Sequence, residues 1–180
     1  MECGCDSRSP TARDVGDNSR VKCAEVLTIL DALDAAQVRY WVAGGWGVDA
    51  LAGSQSREHR DLDLAVDAAH FNACMEVLAA LGYVVETDWL PLRVEVVARG
   101  RGWVDVHPVV FDANGAGLLG DLDGVHFTYG ADAFSLGEVG GRPVPCLSDF
   151  QQRLFHSGYE HRPQDKHDLA ILDGLRPDRG

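Results

Sequence analysis

The sequence predicts an α+β protein in which helices flank a mixed β-sheet and a small helical subdomain follows at the C-terminus. Three observations carry that prediction. Short strand-like apolar runs recur at 40–43, 61–66, 92–98 and 103–111, the last two joined by the hairpin turn Arg99-Gly100-Arg101-Gly102. Two longer stretches, 21–36 and 67–81, repeat apolar residues at helical spacing. Beyond residue 145, two short helical segments close the chain, the second opened by Pro163.

Taken in order, residues 1–20 are polar, lack an apolar signal core and read as a disordered tail. The main domain is expected over 21–145 and the helical subdomain over 146–180. Val21–Ala36 places apolar residues at 23, 26, 27, 30, 33 and 36, an amphipathic helix that packs on the sheet. A strand from Tyr40 to Ala43, a Gly44-Gly45 turn, a short helix and the polar loop Gly53–Arg60 lead to a second strand through Val66. Asp67 can cap a helix that Gly82 stops. Strands follow at Tyr83–Glu86, Leu92–Ala98 and Trp103–Phe111, with Pro91 at a strand start. The Gly-rich segment 112–141 reads as loops with short strands that shape substrate choice, and Gly140-Gly141 turns FSLGEV back on RPVPCL. Ser148 caps a helix running to about Ser157, and the last helix ends near Arg176.

Composition narrows the function. The 16 Lys+Arg stand against 28 Asp+Glu, a net charge of -12. No basic stripe is available to neutralise a phosphate backbone, which argues against a nucleic-acid binder. An acidic surface instead favours small cationic substrates. No apolar run is long enough for a transmembrane helix, and the chain reads as cytoplasmic. Five Cys make no disulfide framework; Cys3-x-Cys5 is a weak zinc signal, and Cys74 and Cys146 read as small buried hydrophobes.

Chemistry concentrates in 41–66, WVAGGWGVDALAGSQSREHRDLDLAV. Side chains two apart on a strand share a face with Cα atoms roughly 6.5 Å apart, so Asp61 and Asp63 can share a divalent cation or a close cation pair. Leu62, Leu64 and Val66 face the other way, into a core. Unpaired charges in an apolar strand are costly, so something positive belongs between the carboxylates. Gly44-Gly45 is either a simple turn or, with Trp46 at the helix start, a row of backbone N–H groups for phosphate oxygens. Arg57 in the following loop could fork onto a triphosphate, and His59 and Arg60 bring further polar groups beside the carboxylates. On WVDVHPVVF, Asp105 and His107 share a face, adding a third carboxylate and a histidine that orients it or the substrate. Arg93 and Glu95 on the neighbouring strand could line the same cleft.

The GG, the helix and loop, and the Asp61-Leu62-Asp63 strand resemble the signature of the nucleotidyltransferase (polymerase β-like) fold. With WVDVHPVVFD and VPCLSDFQQRLFHSGY, the string is similar to lincosamide nucleotidyltransferases and, more distantly, to aminoglycoside 2″-adenylyltransferases. The similarity spans about 21–172. The resemblance implies an enzyme that transfers AMP from ATP to a hydroxyl of a lincosamide antibiotic and releases pyrophosphate. An aminoglycoside acceptor and a non-catalytic nucleotidyltransferase-fold module that binds a partner or a nucleotide are the alternatives. It implies two Mg²⁺ held by Asp61, Asp63 and Asp105, with Asp105 also a base for the attacking hydroxyl, and a homodimer. It further makes Tyr159 and Lys166, on closing C-terminal helices, contacts to base or phosphates.

Overall fold

The computed structural model describes residues 19–120 and 127–175. The expected tail with Cys3 and Cys5, part of the 112–141 segment, and Arg176 fall outside them. Helix α1 (Cys23–Ala35) precedes strand β1 (Tyr40–Ala43), which runs straight into helix α2 (Gly44–Ala52). Strand β2 (Asp61–Asp67), a 3₁₀ turn (Ala68–His70) and helix α3 (Phe71–Ala80) follow. Strands β3 (Val84–Trp89), β4 (Arg93–Ala98) and β5 (Gly102–Phe111) form a meander, and β6 (Gly117–Leu119) and β7 (Phe127–Tyr129) extend it as a short ribbon. Strands β8 (Phe134–Val139) and β9 (Arg142–Leu147) lead to helices α4 (Asp149–Phe155) and α5 (Pro163–Gly174).

The sheet has the order β3-β4-β5-β2-β1-β9-β8, with β6 and β7 branching from β5. Two pairings are parallel, β2 with β5 and β1 with β9; the others along that path are antiparallel. A mixed sheet is therefore what the chain forms, as expected. Leu62, Leu64 and Val66 on β2 and Val104 and Val106 on β5 are buried with Val26, Ile29, Leu30 and Leu33 of α1 and Cys74 and Leu78 of α3. Each such side chain contributes about 2 kcal/mol when withdrawn from water. On the opposite face Trp41, Ala65, Val109, Leu119, Tyr129 and Leu147 form a second cluster, against which Phe155 of α4 packs. One face of β2 is thus a sealed core and the other is left partly open for chemistry.

Local deviations from the sequence expectations have physical reasons. The first helix begins at Cys23 because the Val21 N–H donates to the His59 carbonyl (3.0 Å), tying the chain to the loop before β2. Asp67 caps the 3₁₀ turn, accepting from the Ala69 N–H (3.0 Å), and only then does the α-helix start. Strand β3 continues past Glu86 to Trp89, so Pro91 sits in the β3–β4 turn, after a cis peptide bond, and β4 starts at Arg93. The last helix stops at Gly174. No helix among the described residues is long and apolar enough to cross a membrane.

Candidate active site

Strand pairing builds the centre. In the parallel register of β2 and β5, Asp63 stands opposite Asp105; across β4, Glu95 stands opposite Asp105; across β1, Ala43 stands opposite Asp63. Three carboxylates thus form one row over three neighbouring strands, spaced by the roughly 4.8 Å between strands. Oxygen atoms of Asp63 and Asp105 and a ring nitrogen of His107 all lie within 4.8 Å of one another. His107 Nε2 is 3.7 Å from Asp63 Oδ1. Asp61 lies one pleat along the same face, outside that tight group, where its Oδ2 accepts from Arg60 (3.2 Å).

Electrostatics mark the row as a site awaiting positive charge. Burial, and then repulsion by Asp63, push the Asp105 carboxyl up to about 7 in spite of Arg93. Burial and Asp63 likewise raise Asp61. Asp105 Oδ2 accepts from the Arg93 guanidinium, while Oδ1 is buried with no hydrogen-bond partner among the described residues, as is Nδ1 of His107. Hard carboxylate oxygens, one of them orphaned, on acids that burial and mutual repulsion push upward, are a donor set that fits Mg²⁺. Asp61, Asp63 and Asp105 are the residues that would hold it.

The glycines have a steric task. Gly44 adopts φ +55°, and a Cβ on it would come within 2.1 Å of Asp63 Oδ2. A Cβ on Gly45 would lie 2.4 Å from His59 Nδ1 and 2.5 Å from Arg57 Nη2. No turn separates strand from helix, so the first N–H groups of α2 open beside the carboxylates. Above them lies a cleft of about 730 Å³. One end is polar, lined by Gly44, Gly45, Arg57, His156, Tyr159, Arg162 and Asp168; the other is apolar, lined by Ala65, Leu92, Leu119, Phe127, Tyr129 and Phe155. Asp61, Asp63, Asp105 and His107 also line it.

Several predicted site residues sit elsewhere than the sequence implied. The Trp46 side chain is buried against the His59 ring (centroids 4.8 Å apart) and does not line the cleft. Arg57 reaches the cleft, yet its fork is engaged by Asp168, at 2.8 Å from Nε and 2.7 Å from Nη2, because that buried carboxylate requires a counter-charge. Arg93 and Glu95 do not line the cleft; they stand behind Asp105, with Glu95 taking Arg60 (3.5 Å) and lying 3.8 Å from Arg93. Lys166 is exposed because α5 turns Asp165, Asp168 and Leu172 inward at helical spacing. Tyr159 stands at the cleft rim. His59, expected beside the carboxylates, is 2% exposed and turned to the buried Asp49.

Residues the sequence reading missed are Asp49, Asp168, His156, Gln152 and Arg162. Gln152 Nε2 donates to the Gly44 carbonyl (3.3 Å), and His156 Nε2 lies 4.0 Å from Asp168 Oδ2. A signal existed for Asp49 and Asp168, since each is a charge at an inward position of a helix.

Residues 25–172 match the family described as aminoglycoside-2″-adenylyltransferase. A lincosamide resistance protein of Staphylococcus haemolyticus is 37% identical over 158 residues, spanning 88% of this chain and 98% of its own. The crystal structure of the lincosamide antibiotic adenylyltransferase LnuA with bound lincomycin is similar with a TM-score of 0.80 and 36% identity, over 88% of this chain and 100% of that one. The crystal structure of ANT(2″)-Ia in complex with adenylyl-2″-tobramycin shares the fold, with a TM-score of 0.67 and 18% identity over 84% of this chain and 87% of that one. With the family model spanning 25–172, which takes in Asp61, Asp63, Asp105 and the C-terminal helices, and a lincosamide relative matched over 98% of its length, the chain belongs to the aminoglycoside-2″-adenylyltransferase family, among its lincosamide nucleotidyltransferases.

Proposed function

We propose that the protein transfers AMP from ATP to a hydroxyl of a lincosamide such as lincomycin or clindamycin, inactivating it and releasing pyrophosphate. The observation that carries this reading is the row of Asp63 and Asp105 on parallel strands, with Asp105 Oδ1 orphaned at the floor of a cleft that is polar at one end and apolar at the other. Bound Mg²⁺, one or two ions on Asp61, Asp63 and Asp105, would supply charge neutralisation at the α-phosphate and the leaving pyrophosphate.

The chain's own groups do the rest. N–H groups at the start of α2, from Gly44, Gly45 and Trp46, receive phosphate oxygens. Arg162, at the polar end, and Arg57, which lines the cleft while paired with Asp168, add positive charge to the triphosphate side, and Tyr159 at the rim meets the base. Asp105, on the same face as His107, accepts the proton of the acceptor hydroxyl, and a hydroxyl beside bound Mg²⁺ would be acidic enough for an ordinary carboxylate to serve. The hydroxyl oxygen then bonds to the α-phosphorus as the bond to the β-phosphate oxygen breaks, and the proton passes to solvent. His107 holds the acceptor side of the row, 3.7 Å from Asp63. A sheet wall of Leu119, Phe127 and Tyr129 favours an acceptor with an apolar arm over the polycationic aminoglycosides. The partners are therefore a nucleotide and a small antibiotic, and ATP as co-substrate places the enzyme in the cytoplasm. Assembly as a homodimer and the C-terminal pair α4–α5 as a subdomain over 146–180 remain part of this reading through the family resemblance.

The test is pyrophosphate release with ATP and Mg²⁺ in the presence of lincomycin, clindamycin, kanamycin or no acceptor. Release that depends on a lincosamide supports the reading. Release with kanamycin alone transfers it to an aminoglycoside acceptor, and failure to bind nucleotide overturns it in favour of a non-catalytic role.

A further inference from the structure

Against Gly45, and outside the lining of the cleft, lies a buried polar cluster that the proposed chemistry does not use. Asp49, on α2, is 2% exposed. One of its oxygens accepts from the Ser56 N–H (3.0 Å) and hydroxyl (2.6 Å). The other lies 2.5 Å from His59 Nε2, and His59 is equally buried. The opposite edge of the His59 ring abuts Gly45 so closely that a Cβ there would come within 2.4 Å of Nδ1. His167 of α5 reaches the Ser56 hydroxyl as well (3.1 Å).

These contacts splice the loop between α2 and β2 onto α2 at two points, with Arg57 held between them. Asp49 grips Ser56 on one side of Arg57 and His59 on the other, leaving the Arg57 guanidinium to project toward Asp168 and the polar end of the cleft. Resting on the function proposed above, we infer that Asp49, acting through His59 and Ser56, is a positioning residue for nucleotide: it holds the Gly45 backbone and Arg57 in their receiving geometry. A buried carboxylate that accepts three hydrogen bonds from one loop fixes that loop before ligand arrives, and preorganisation of this kind improves binding without touching the ligand. The acceptor end, built from β5, β6, β7 and α4, makes none of these contacts.

The experiment compares the wild type with Asp49→Asn, His59→Gln and Ser56→Ala by calorimetric titration with α,β-methylene-ATP plus Mg²⁺ and, separately, with lincomycin. In the ligand-free protein, a strongly deshielded imidazole N–H proton is expected in the wild type and lost in Asp49→Asn. Nucleotide-analogue binding should weaken about tenfold in Asp49→Asn and His59→Gln, and less in Ser56→Ala, while lincomycin binding changes by under about twofold. Equal weakening of both ligands makes the cluster merely structural and overturns the inference. Unchanged analogue binding in variants that have lost the imidazole signal overturns it too. Should Asp49→Asn not fold, His59→Gln and Ser56→Ala decide by the same comparison. A wild type that binds no nucleotide overturns the functional reading and this assignment together, a result distinct from the other two because it appears before any substitution.

Discussion

Asp63 and Asp105, 42 residues apart, face each other across the parallel pairing of β2 and β5, and Arg93 is the cation already lodged against the second of them. From this opposition follows an enzyme whose most necessary carboxylates are a burden on its fold.

Substituting Asp61→Asn or Asp63→Asn should reduce pyrophosphate release by about a thousandfold or more, since charge stabilisation at the phosphorus is usually the largest catalytic contribution. The melting temperature without Mg²⁺ should be unchanged or raised. Parallel release assays and thermal melts check both; near-normal release by either variant would refute the metal assignment.

The Asp105 carboxyl is raised from 3.8 to about 7, with burial the foremost cause, and Asp61 is raised for the same reason. Across that window the folded state holds more protons than the unfolded one. Stability is therefore greatest near the acid end and is lost as pH rises through about 7, by at most about 4 kcal/mol for Asp105. Urea midpoints of the metal-free protein at about pH 5 and about pH 8 should show the fall, Asp105→Asn should flatten it, and millimolar Mg²⁺ should oppose it.

Gly44→Ala brings a methyl group to 2.1 Å from Asp63 Oδ2 at a backbone φ of +55°. The expected cost is about 1–3 kcal/mol of stability together with near-complete loss of turnover, because the carboxylate must move. Circular dichroism melts and release assays measure the two effects; Gly53→Ala, with φ +70° but open space around it, should lose stability and keep activity.

Arg57 and Asp168 form a two-armed ion pair between residues 111 positions apart. Arg57→Ala leaves Asp168 buried without its partner and should destabilise the protein by about 3 kcal/mol. Asp168→Asn should cost less, and a double-mutant cycle should return a coupling of at least about 1 kcal/mol. Additive losses would mean that the pair does not hold α5 to the loop.

At the other end of the cleft, Phe127→Ala and Tyr129→Ala should raise the KM for lincosamide several-fold with little change in the KM for ATP. Equal changes in both constants would place the acceptor elsewhere.

What the amino-acid sequence determined by itself is local. Alternation along 61–66 and 103–111 made these strands and put Asp61, Asp63, Asp105 and His107 on faces opposite to apolar partners, while helical spacing and cap residues located the helices to within a few residues. These features were legible because periods of 2 and 3.6 are written into neighbouring residues. Tertiary structure alone decided the parallel register that sets Asp63 against Asp105, the seating of Arg93 and Glu95 behind that row, and the pairing of Arg57 with Asp168. It also turned His59 inward to Asp49 and left Lys166 in solvent. Those outcomes depend on which buried charge lies nearest in space, and a buried carboxylate captures whichever cation or donor the fold brings to it, however far away along the chain.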